Sequence, residues 1–288
     1  MVKMIIYTCI TNGYDEIPDS HYYDPDVQYV CFTDGTVEHK GPWEFREIPI
    51  EHDCPRRRSA YVKINPHKVF PKGSKVVWTD GCYVMTKEFV ENSKKYLEKP
   101  FTIMRHPCKF SYMDEVLEGF LASMNTWDDV IEITTKLKED GDYIFFKYCS
   151  PVLAYIWREL NDEYERFGDL WWEWSLIGPN RDQVSFDYAR QKTGMELNIL
   201  EEGWHTKGSF EENGWPKMGT VGVRFGTEGK VSRQKLHPKA GKPGQWRQRD
   251  EILKELRNIT GLHPLLYAKH NHTPFIRMNV INPYLPES

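Results

Sequence analysis

The stretch KVVWTDGCYVM, Lys75–Met85, decides the fold, because an apolar run ends at Asp80-Gly81 and a second apolar run follows. Asp-Gly between two apolar runs is a strong signal for a turn, and often for a hairpin. A buried strand that presents a carboxylate at its carboxyl end also indicates a ligand site, as in open α/β sheets. Both interpretations are open at this point.

Strands and helices alternate around this stretch. Runs of β-branched and aromatic residues predict strands at Met4–Ile10, Val27–Thr33, Lys75–Asp80 and Phe101–His106. Helical spacing of apolar residues predicts helices at Ser59–Asn65, Thr86–Glu98, Tyr112–Met124, Trp127–Gly141 and Asp182–Gly194, with a late helix at Asp250–Asn258. The alternation predicts an α/β fold with a mainly parallel sheet flanked by helices.

The composition is that of an ordinary globular protein, with 40% hydrophobic and 28% charged residues in a chain of 288. No apolar run reaches the length of about 18 residues that a membrane helix needs, so we expect no membrane partner. The first residues read as a strand and not as a signal peptide. Six cysteines are scattered without a CxxC pair, which argues against a disulfide framework or a zinc site and favours the cytoplasm.

Positive charge is concentrated near the carboxyl terminus. Residues 217–249 contain nine Lys or Arg against one Glu, so this segment carries +8 while the remainder of the chain carries −12. Apolar periodicity weakens after about Glu202. We therefore predict a catalytic core at 1–202 and a basic carboxyl-terminal lobe at 203–288 that belongs to the same compact unit.

Three predicted strands end in short polar stretches. The first ends in TCITNGYDE, the second in FTDG with Asp34, and the third in WTDG with Asp80. Each stretch alone is most simply an ordinary turn. Together they indicate a nucleotide site, because ligands of parallel sheets bind outside the carboxyl ends of the strands.

Between the second and third strands lies RRRSAYVKINPH, residues 56–67, with three consecutive arginines and Lys63. Arginine offers paired donors and lysine a point charge, so these residues could neutralise a diphosphate. A solvated basic face is the alternative. The position of the segment between two strands that end in Asp favours the ligand site.

The ordered motifs YTCITNGYD, YVCFTD, KINPHKVFP, VVWTDG, HPCKFSYMDE and RDQVSFDYA resemble those of the TOD/MUCI-type glycosyltransferase family, formerly a domain of unknown function. The resemblance covers about Ile5 to Lys192. It implies a GT-A-like, Rossmann-related fold and a nucleotide-sugar donor, most simply a UDP-sugar.

The resemblance also assigns donor-binding residues by position. The base and ribose would be bound by Thr8, Asn12, Tyr14 and Asp34, and the diphosphate by Arg57 and Lys63. His106 and Glu115 match a further motif near the donor sugar or the acceptor. Arg181, Gln183 and Asp80 would also contact the donor, and Asp80, Glu115 and Asp182 would act in catalysis.

Metal use is the weakest part of the resemblance. Asp80 matches the first acid of the GT-A metal motif, but Cys82 occupies the position of the second. Mg²⁺ and Mn²⁺ prefer oxygen ligands, so this difference makes a metal doubtful. Asp80 could still bind a cation together with a later histidine, for which His205 is the candidate.

Asp182 opens a predicted helix and has two possible roles. An inverting transfer needs a base within hydrogen-bond reach of the acceptor hydroxyl, and Asp182 is the candidate for it. An aspartate at the start of a helix is also favourable for stability. The two roles do not exclude each other.

The basic segment predicts a polyanionic acceptor, because clustered positive charge on an acidic protein attracts one. The contact candidates are Arg233, Lys235, Lys239, Lys242, Arg247 and Arg249. Hydroxymethylated bases in DNA are the leading acceptor, by analogy with bacteriophage enzymes; the cytoplasm would then be that of a bacterial host. The alternatives are a cell-surface saccharide, lipid or protein as acceptor, or a non-catalytic nucleic-acid-binding protein on a degenerate transferase fold.

Overall fold

The computed structural model describes residues 3–19, 21–81, 83–105, 112, 115–116, 126–141, 151–179, 181–200, 217–218 and 258. The strands are β1 (Met4–Ile10), β2 (Val27–Thr33), β3 (Trp43–Glu47), β4 (Lys75–Thr79), β5 (Tyr83–Val84), β6 (Phe101–Arg105), β7 (Pro151–Glu159), β8 (Asn198–Leu200) and β9 (Lys217–Met218). The helices are α1 (Pro55–Ile64), α2 (Lys87–Tyr96), α3 (Trp127–Asp140), α4 (Asp162–Ser175) and α5 (Asp182–Thr193), with a 3-10 turn at Pro66–Lys68.

Within the described residues, seven strands form one sheet in the order β3-β2-β1-β4-β7-β6-β8. β7 is antiparallel to both of its neighbours, and every other neighbouring pair is parallel. β5 and β9 form a separate antiparallel pair. The predicted fold class, α/β with a mainly parallel sheet flanked by helices, is confirmed.

The central strands are buried along their whole length. All seven residues of β1 are buried, and six of the seven residues of β2 are. A parallel sheet that is covered on both faces requires such continuous apolar runs. This is why the strands β1 and β2 occupy the bounds that the sequence predicts.

The helix ends follow local capping chemistry. The Thr86 side chain accepts the Phe89 N–H at the start of α2, and Thr126 forms a capping box with Asp129 at the start of α3. Such caps satisfy backbone N–H groups that have no partner within the helix. Gly141, with φ 70°, follows α3, and this left-handed conformation ends the helix as predicted.

Five strands and one helix are not among the elements predicted above: β3, β5, β7, β8, β9 and α4. The signal for α4 was present, because Tyr164, Phe167, Trp171 and Trp174 are spaced for one helix face, and all four are buried. The late helix at Asp250–Asn258 lies outside the described residues, apart from Asn258, which is helical.

The chain divides into two compact units. Unit 1 comprises Met1–Arg105, Pro151–Trp172 and Thr193–Ser232, and it contains all the described strands. Unit 2 comprises His106–Ser150, Glu173–Lys192 and Arg233–Ser288. Most of the predicted basic lobe, 203–288, lies outside the described residues, and its boundary stays a prediction.

The described helices are also too short or too polar to span a bilayer, and none of them meets the requirements for a membrane-crossing segment.

His21 links two parts of unit 1. Its Nδ1 atom accepts the Met85 N–H at 3.0 Å, and the Tyr22 N–H donates to the Met85 carbonyl at 2.9 Å. Burial lowers the pKa of His21 to about 4, so the ring is neutral in the folded protein near neutral pH. Protonation would remove the acceptor that Met85 uses.

This pKa predicts an acid-sensitive fold. The unfolded chain binds a proton at His21 below about pH 6.5 and the folded chain does so only near pH 4, so stability falls as the pH falls between these values, by up to about 1.4 kcal/mol per pH unit. A His21→Gln variant should show a flatter dependence of the urea unfolding free energy on pH, whereas His39→Gln, at an exposed histidine, should not. An unchanged slope in His21→Gln would contradict the prediction.

Candidate functional site

Strand β1 lies at the point where the strand order of the sheet reverses. From β1 the chain continues to β2 and β3 on one side, while β4 pairs with β1 on the other side. Open α/β sheets bind ligands outside the carboxyl ends of their strands at such a switch point. The segments that meet here are residues 11–14 after β1 and Asp80-Gly81 after β4, and we refer to this region as the switch-point edge.

The loop after β1 turns through two residues with positive φ, Asn12 at 55° and Gly13 at 57°. Asparagine and glycine tolerate this left-handed conformation better than most residues. The Asn12 N–H donates to Asp34 Oδ2 at 2.9 Å, and the Gly13 N–H donates to Thr36 Oγ1 at 2.8 Å. The loop after β2 therefore fixes the loop after β1.

Asp34 is the centre of this arrangement. Its Oδ1 atom accepts the Thr36 hydroxyl at 2.6 Å, and Arg58 Nη2 lies 3.4 Å from Oδ2. Burial would raise the pKa of Asp34, but the hydrogen bonds from Thr36 and Asn12 and the charge of Arg58 lower it below the ordinary aspartate value. Asp34 therefore remains ionised and joins both loops to α1.

Helix α1 begins at the switch-point edge. The Thr11 hydroxyl donates to the Pro55 carbonyl at 3.2 Å, and the Ser59 hydroxyl donates to the Cys9 carbonyl at 3.3 Å. Three arginines, 56–58, follow Pro55, and the first turn has no acidic residue. A helix amino terminus carries partial positive charge, so the start of α1 favours an anion.

The arginine that reaches Asp34 is Arg58. The resemblance singles out its neighbour Arg57, whose role as a diphosphate ligand stays a prediction. Sequence alone does not separate three consecutive arginines, because the helical phase decides which side chain faces the loops. Thr36 is the other contributor to this network that the sequence analysis missed.

Asp80 is held at the carboxyl end of β4 by three contacts. Its N–H donates to the Ala154 carbonyl at 3.0 Å. Its Oδ1 atom accepts the Trp78 indole N–H at 2.8 Å and lies 3.5 Å from Lys63 Nζ. The Lys63 ammonium also lies 5.5 Å from the centre of the Trp78 ring, within cation–π range.

Lys63 and Asp80 differ in exposure. The Lys63 side chain is 11% exposed and that of Asp80 is 39% exposed. An enclosed charge is costly unless it is paired, so the carboxylate of Asp80 offsets part of the cost of enclosing the Lys63 ammonium. Both residues were predicted to contact the donor, and the structure brings them into contact with each other.

The Asp80-Gly81 turn is confirmed, but a hairpin between β4 and β5 is not formed. The Tyr83 N–H donates to the Asp80 carbonyl at 3.3 Å, whereas β5 pairs with β9. A Cβ atom at Gly81 would lie 2.9 Å from Ile10 Cγ1, which is closer than real contacts allow. Glycine is therefore required for the close approach of the β4 turn to the end of β1.

Two more predicted donor ligands lie in or after β1. Thr8 is inside the strand and 2% exposed, so its hydroxyl lies beneath the surface of the site. Tyr14 is half-buried, and its N–H donates to the Thr11 carbonyl at 3.0 Å. Contact of either side chain with a donor stays a prediction.

Unit 2 contains a buried ion pair between two predicted site residues. Arg181 Nε donates to Glu115 Oε1, and the two side chains are 9% and 0% exposed. Each charge compensates the other, so this pair has a clear structural role. Asp182 begins α5, and its Oδ1 accepts the adjacent Gln183 N–H at 3.1 Å, which fits the predicted helix-start role. Catalysis by Asp182 stays a prediction.

Several predicted site residues lie outside the described residues. They are His106, His205, Cys82 and the basic candidates Arg233, Lys235, Lys239, Lys242, Arg247 and Arg249.

The described residues do not form a metal site from protein ligands alone. No group of three or more His, Cys, Asp or Glu among them could hold one. The Asp80 carboxylate instead contacts the Lys63 ammonium, 3.5 Å away. A divalent ion at Asp80 would be repelled by this ammonium, so we assign no step to a metal.

No family model matches the chain, and no curated protein matches it in sequence. Among solved structures, mouse xyloside xylosyltransferase 1 in its apo form is similar, with 8% identity and a TM-score of 0.39 over 70% of this chain and 86% of that chain. A similarity of this extent assigns no fold family, donor, acceptor or site residue here. The resemblance to the TOD/MUCI-type family stays a prediction.

Proposed function

We propose that this protein is a glycosyltransferase that moves a sugar from a nucleoside-diphosphate sugar, a UDP-sugar, to an acceptor hydroxyl. Hydroxymethylated bases in DNA are the proposed acceptor. The observation that carries the proposal is the switch-point edge, where the loop after β1 meets the arginine-rich start of α1 and the turn after β4 meets Lys63.

Two features support the donor part of the proposal. A mainly parallel sheet with a switch point is a common frame for nucleotides, and the positive-φ turn at Asn12-Gly13 allows close approach of a ligand to backbone. The cations of α1, including Arg58 and Lys63, suit the charge of a diphosphate. The resemblance of the motifs to those of the TOD/MUCI-type family supports a sugar as the group attached to the diphosphate.

The reaction requires few protein groups. The bond between the sugar C1 and the phosphate oxygen breaks, and the acceptor oxygen forms a new bond to C1. The acceptor proton passes to a base, for which Asp182 is the candidate, and the nucleoside diphosphate leaves with the bonding electrons. Positive charge near the diphosphate would stabilise that leaving group.

The acceptor part rests on charge and on strand pairing. The segment 217–249 carries +8, and its first two residues, Lys217–Met218, form β9 on β5, next to the Asp80-Gly81 turn. Such a segment would attract a polyanion, and its Lys217 pairs with Val84 of β5. Double-stranded DNA would present its base hydroxyl in the major groove or by base flipping.

We expect the full-length protein to release UDP from one UDP-sugar of a panel and to add that sugar to hydroxymethylated DNA, but not to plain DNA. Nucleoside mass spectrometry detects the product, and a coupled assay measures UDP release. GDP- and ADP-sugars serve as donor controls. Because the acceptor contacts are charged, transfer should weaken as salt concentration rises.

Different failures have different meanings. If UDP is released and the sugar is transferred to a saccharide, lipid or protein but not to DNA, the protein is a glycosyltransferase with a different acceptor. Salt-dependent DNA binding without hydrolysis of any nucleotide sugar would favour a non-catalytic nucleic-acid-binding protein. If the protein neither hydrolyses a nucleotide sugar nor binds DNA, the whole proposal is overturned.

A further inference from the structure

The Lys63–Asp80 ion pair is built into the switch-point edge. Lys63 is in the last turn of α1, and its ammonium lies 3.5 Å from Asp80 Oδ1 at the end of β4. The indole of Trp78 contacts both groups, through its N–H to Asp80 and through its ring face to Lys63. A carboxylate and an aromatic ring therefore both contact the ammonium at this edge.

A divalent cation and this ammonium compete for the same carboxylate. Because the described residues hold no group of three or more potential ligands, a hard cation here would take most of its oxygen ligands from the diphosphate and from water. The ammonium already supplies positive charge beside Asp80. The resemblance implies a metal-binding motif at Asp80. The residues that surround Asp80 supply an ammonium there instead.

We infer that Lys63, positioned by Asp80, binds the diphosphate of the nucleotide donor directly, and that this binding needs no divalent cation. The inference rests on the proposed function and specifies its donor site. Lysine binds phosphate as a point charge, so it tolerates a range of approach directions. The arginines at the start of α1 add positive charge at the same edge. Asp80 is then a positioning residue for Lys63, not a metal ligand.

Isothermal titration of the full-length protein with UDP tests this inference, with GDP and ADP as further probes. The dissociation constant of the preferred nucleotide should agree within about threefold in EDTA, in MgCl₂ and in MnCl₂. Lys63→Met should weaken binding in EDTA by about tenfold or more, because methionine keeps the apolar stem and removes the charge. Lys75→Met is the matched control, since Lys75 Nζ donates to the Leu97 carbonyl at 3.0 Å, and it should bind normally.

Asp80→Asn separates the two roles of Asp80. The amide oxygen can still accept the Trp78 N–H and a Lys63 N–H, so UDP affinity in EDTA should stay within about threefold of wild type or rise. The Asp80→Asn measurement and the wild-type measurement in EDTA together test whether UDP binding needs a metal, even if Lys63→Met does not fold.

Two kinds of result are contrary. If EDTA abolishes UDP binding and Mn²⁺ restores it, or if Asp80→Asn binds more than about tenfold less tightly, the inference is overturned and the proposed function stands. If no nucleoside diphosphate binds with or without metal, the proposed function fails, and the inference fails with it.

Discussion

Replacing Tyr7 and Tyr164 together with phenylalanine is expected to destabilise unit 1 by about 3 to 5 kcal/mol, because both phenols hold the buried guanidinium of Arg158. Arg158 lies in β7 and is fully buried. Its Nη1 donates to the Lys63 carbonyl at 2.8 Å and to the Tyr164 hydroxyl, and its Nη2 donates to the Tyr7 hydroxyl. No carboxylate among the described residues pairs with this charge.

The hydrogen-bond network around Arg158 leads to carbonyl groups in the last turn of α1. Each phenol accepts from the guanidinium and donates to a last-turn carbonyl, Tyr7 to Lys63 at 3.3 Å and Tyr164 to Ile64 at 3.0 Å. These carbonyls lack partners within the helix and lie at its negative end, which suits a cation. Burial raises the pKa of Tyr164 to about 12 despite the nearby charge of Arg158, so its hydroxyl keeps its proton.

A third substitution tests this explanation. Adding Arg158→Met to the double variant removes the charge that has lost its partners, so most of the lost stability should return. Tyr29→Phe is a control, because the Tyr29 hydroxyl accepts an uncharged N–H, that of Asp24, at 2.8 Å, and it should cost only about 1 kcal/mol. Urea unfolding followed by circular dichroism gives the free energies. A triple variant as unstable as the double one would contradict the explanation.

The parts of the fold that could be predicted depend on local sequence. The bounds of β1, β2 and β4 follow from continuous apolar runs, and the ends of α2 and α3 follow from capping threonines and a left-handed glycine. Each signal acts within a few residues, so the sequence displays it directly.

The parts that could not be predicted depend on contacts between distant residues. Arg158 and Tyr7 are 151 positions apart, and nothing near either residue indicates that a charged side chain of β7 would be buried against β1 and α1. The antiparallel direction of β7 and the pairing of β5 with β9 are also set by the path of the chain. The order of strands in a sheet is a tertiary property.

The candidate site shows the same limit. Sequence reasoning named Lys63 and Asp80 as separate ligands of one donor, and Glu115 and Arg181 as separate site residues. In the structure the members of each couple form an ion pair. Residue type and strand position indicated where charged groups would collect, but which charges neutralise each other depends on side-chain directions that only the fold determines.

Asp80→Ala is expected to lower sugar transfer by about 100-fold or more while the protein stays folded. The methyl group removes the acceptor of the Trp78 N–H and the anion that positions Lys63, so the ammonium is no longer held at the switch-point edge. The stability cost should be moderate, about 1 to 3 kcal/mol, because the variant loses one hydrogen bond to Trp78 and removes the Asp80 carboxylate from the 11% exposed Lys63 ammonium.

The control for Asp80→Ala is Asp169→Ala, which also removes an exposed acid from an ion pair. Asp169 pairs with His67 at 3.0 Å and with Lys68 at 3.0 Å, and neither contact involves the switch-point edge. The transfer rate of Asp169→Ala should stay near that of wild type. The rate is measured with the donor and acceptor identified in the panel and is normalised to the amount of folded protein, determined by circular dichroism. Near-normal transfer by Asp80→Ala would show that the assignment of Asp80 to the donor site is wrong. A loss in Asp80→Ala that Asp80→Asn does not share would show that Asp80 acts through the position of Lys63, since the amide keeps the hydrogen bonds but not the charge.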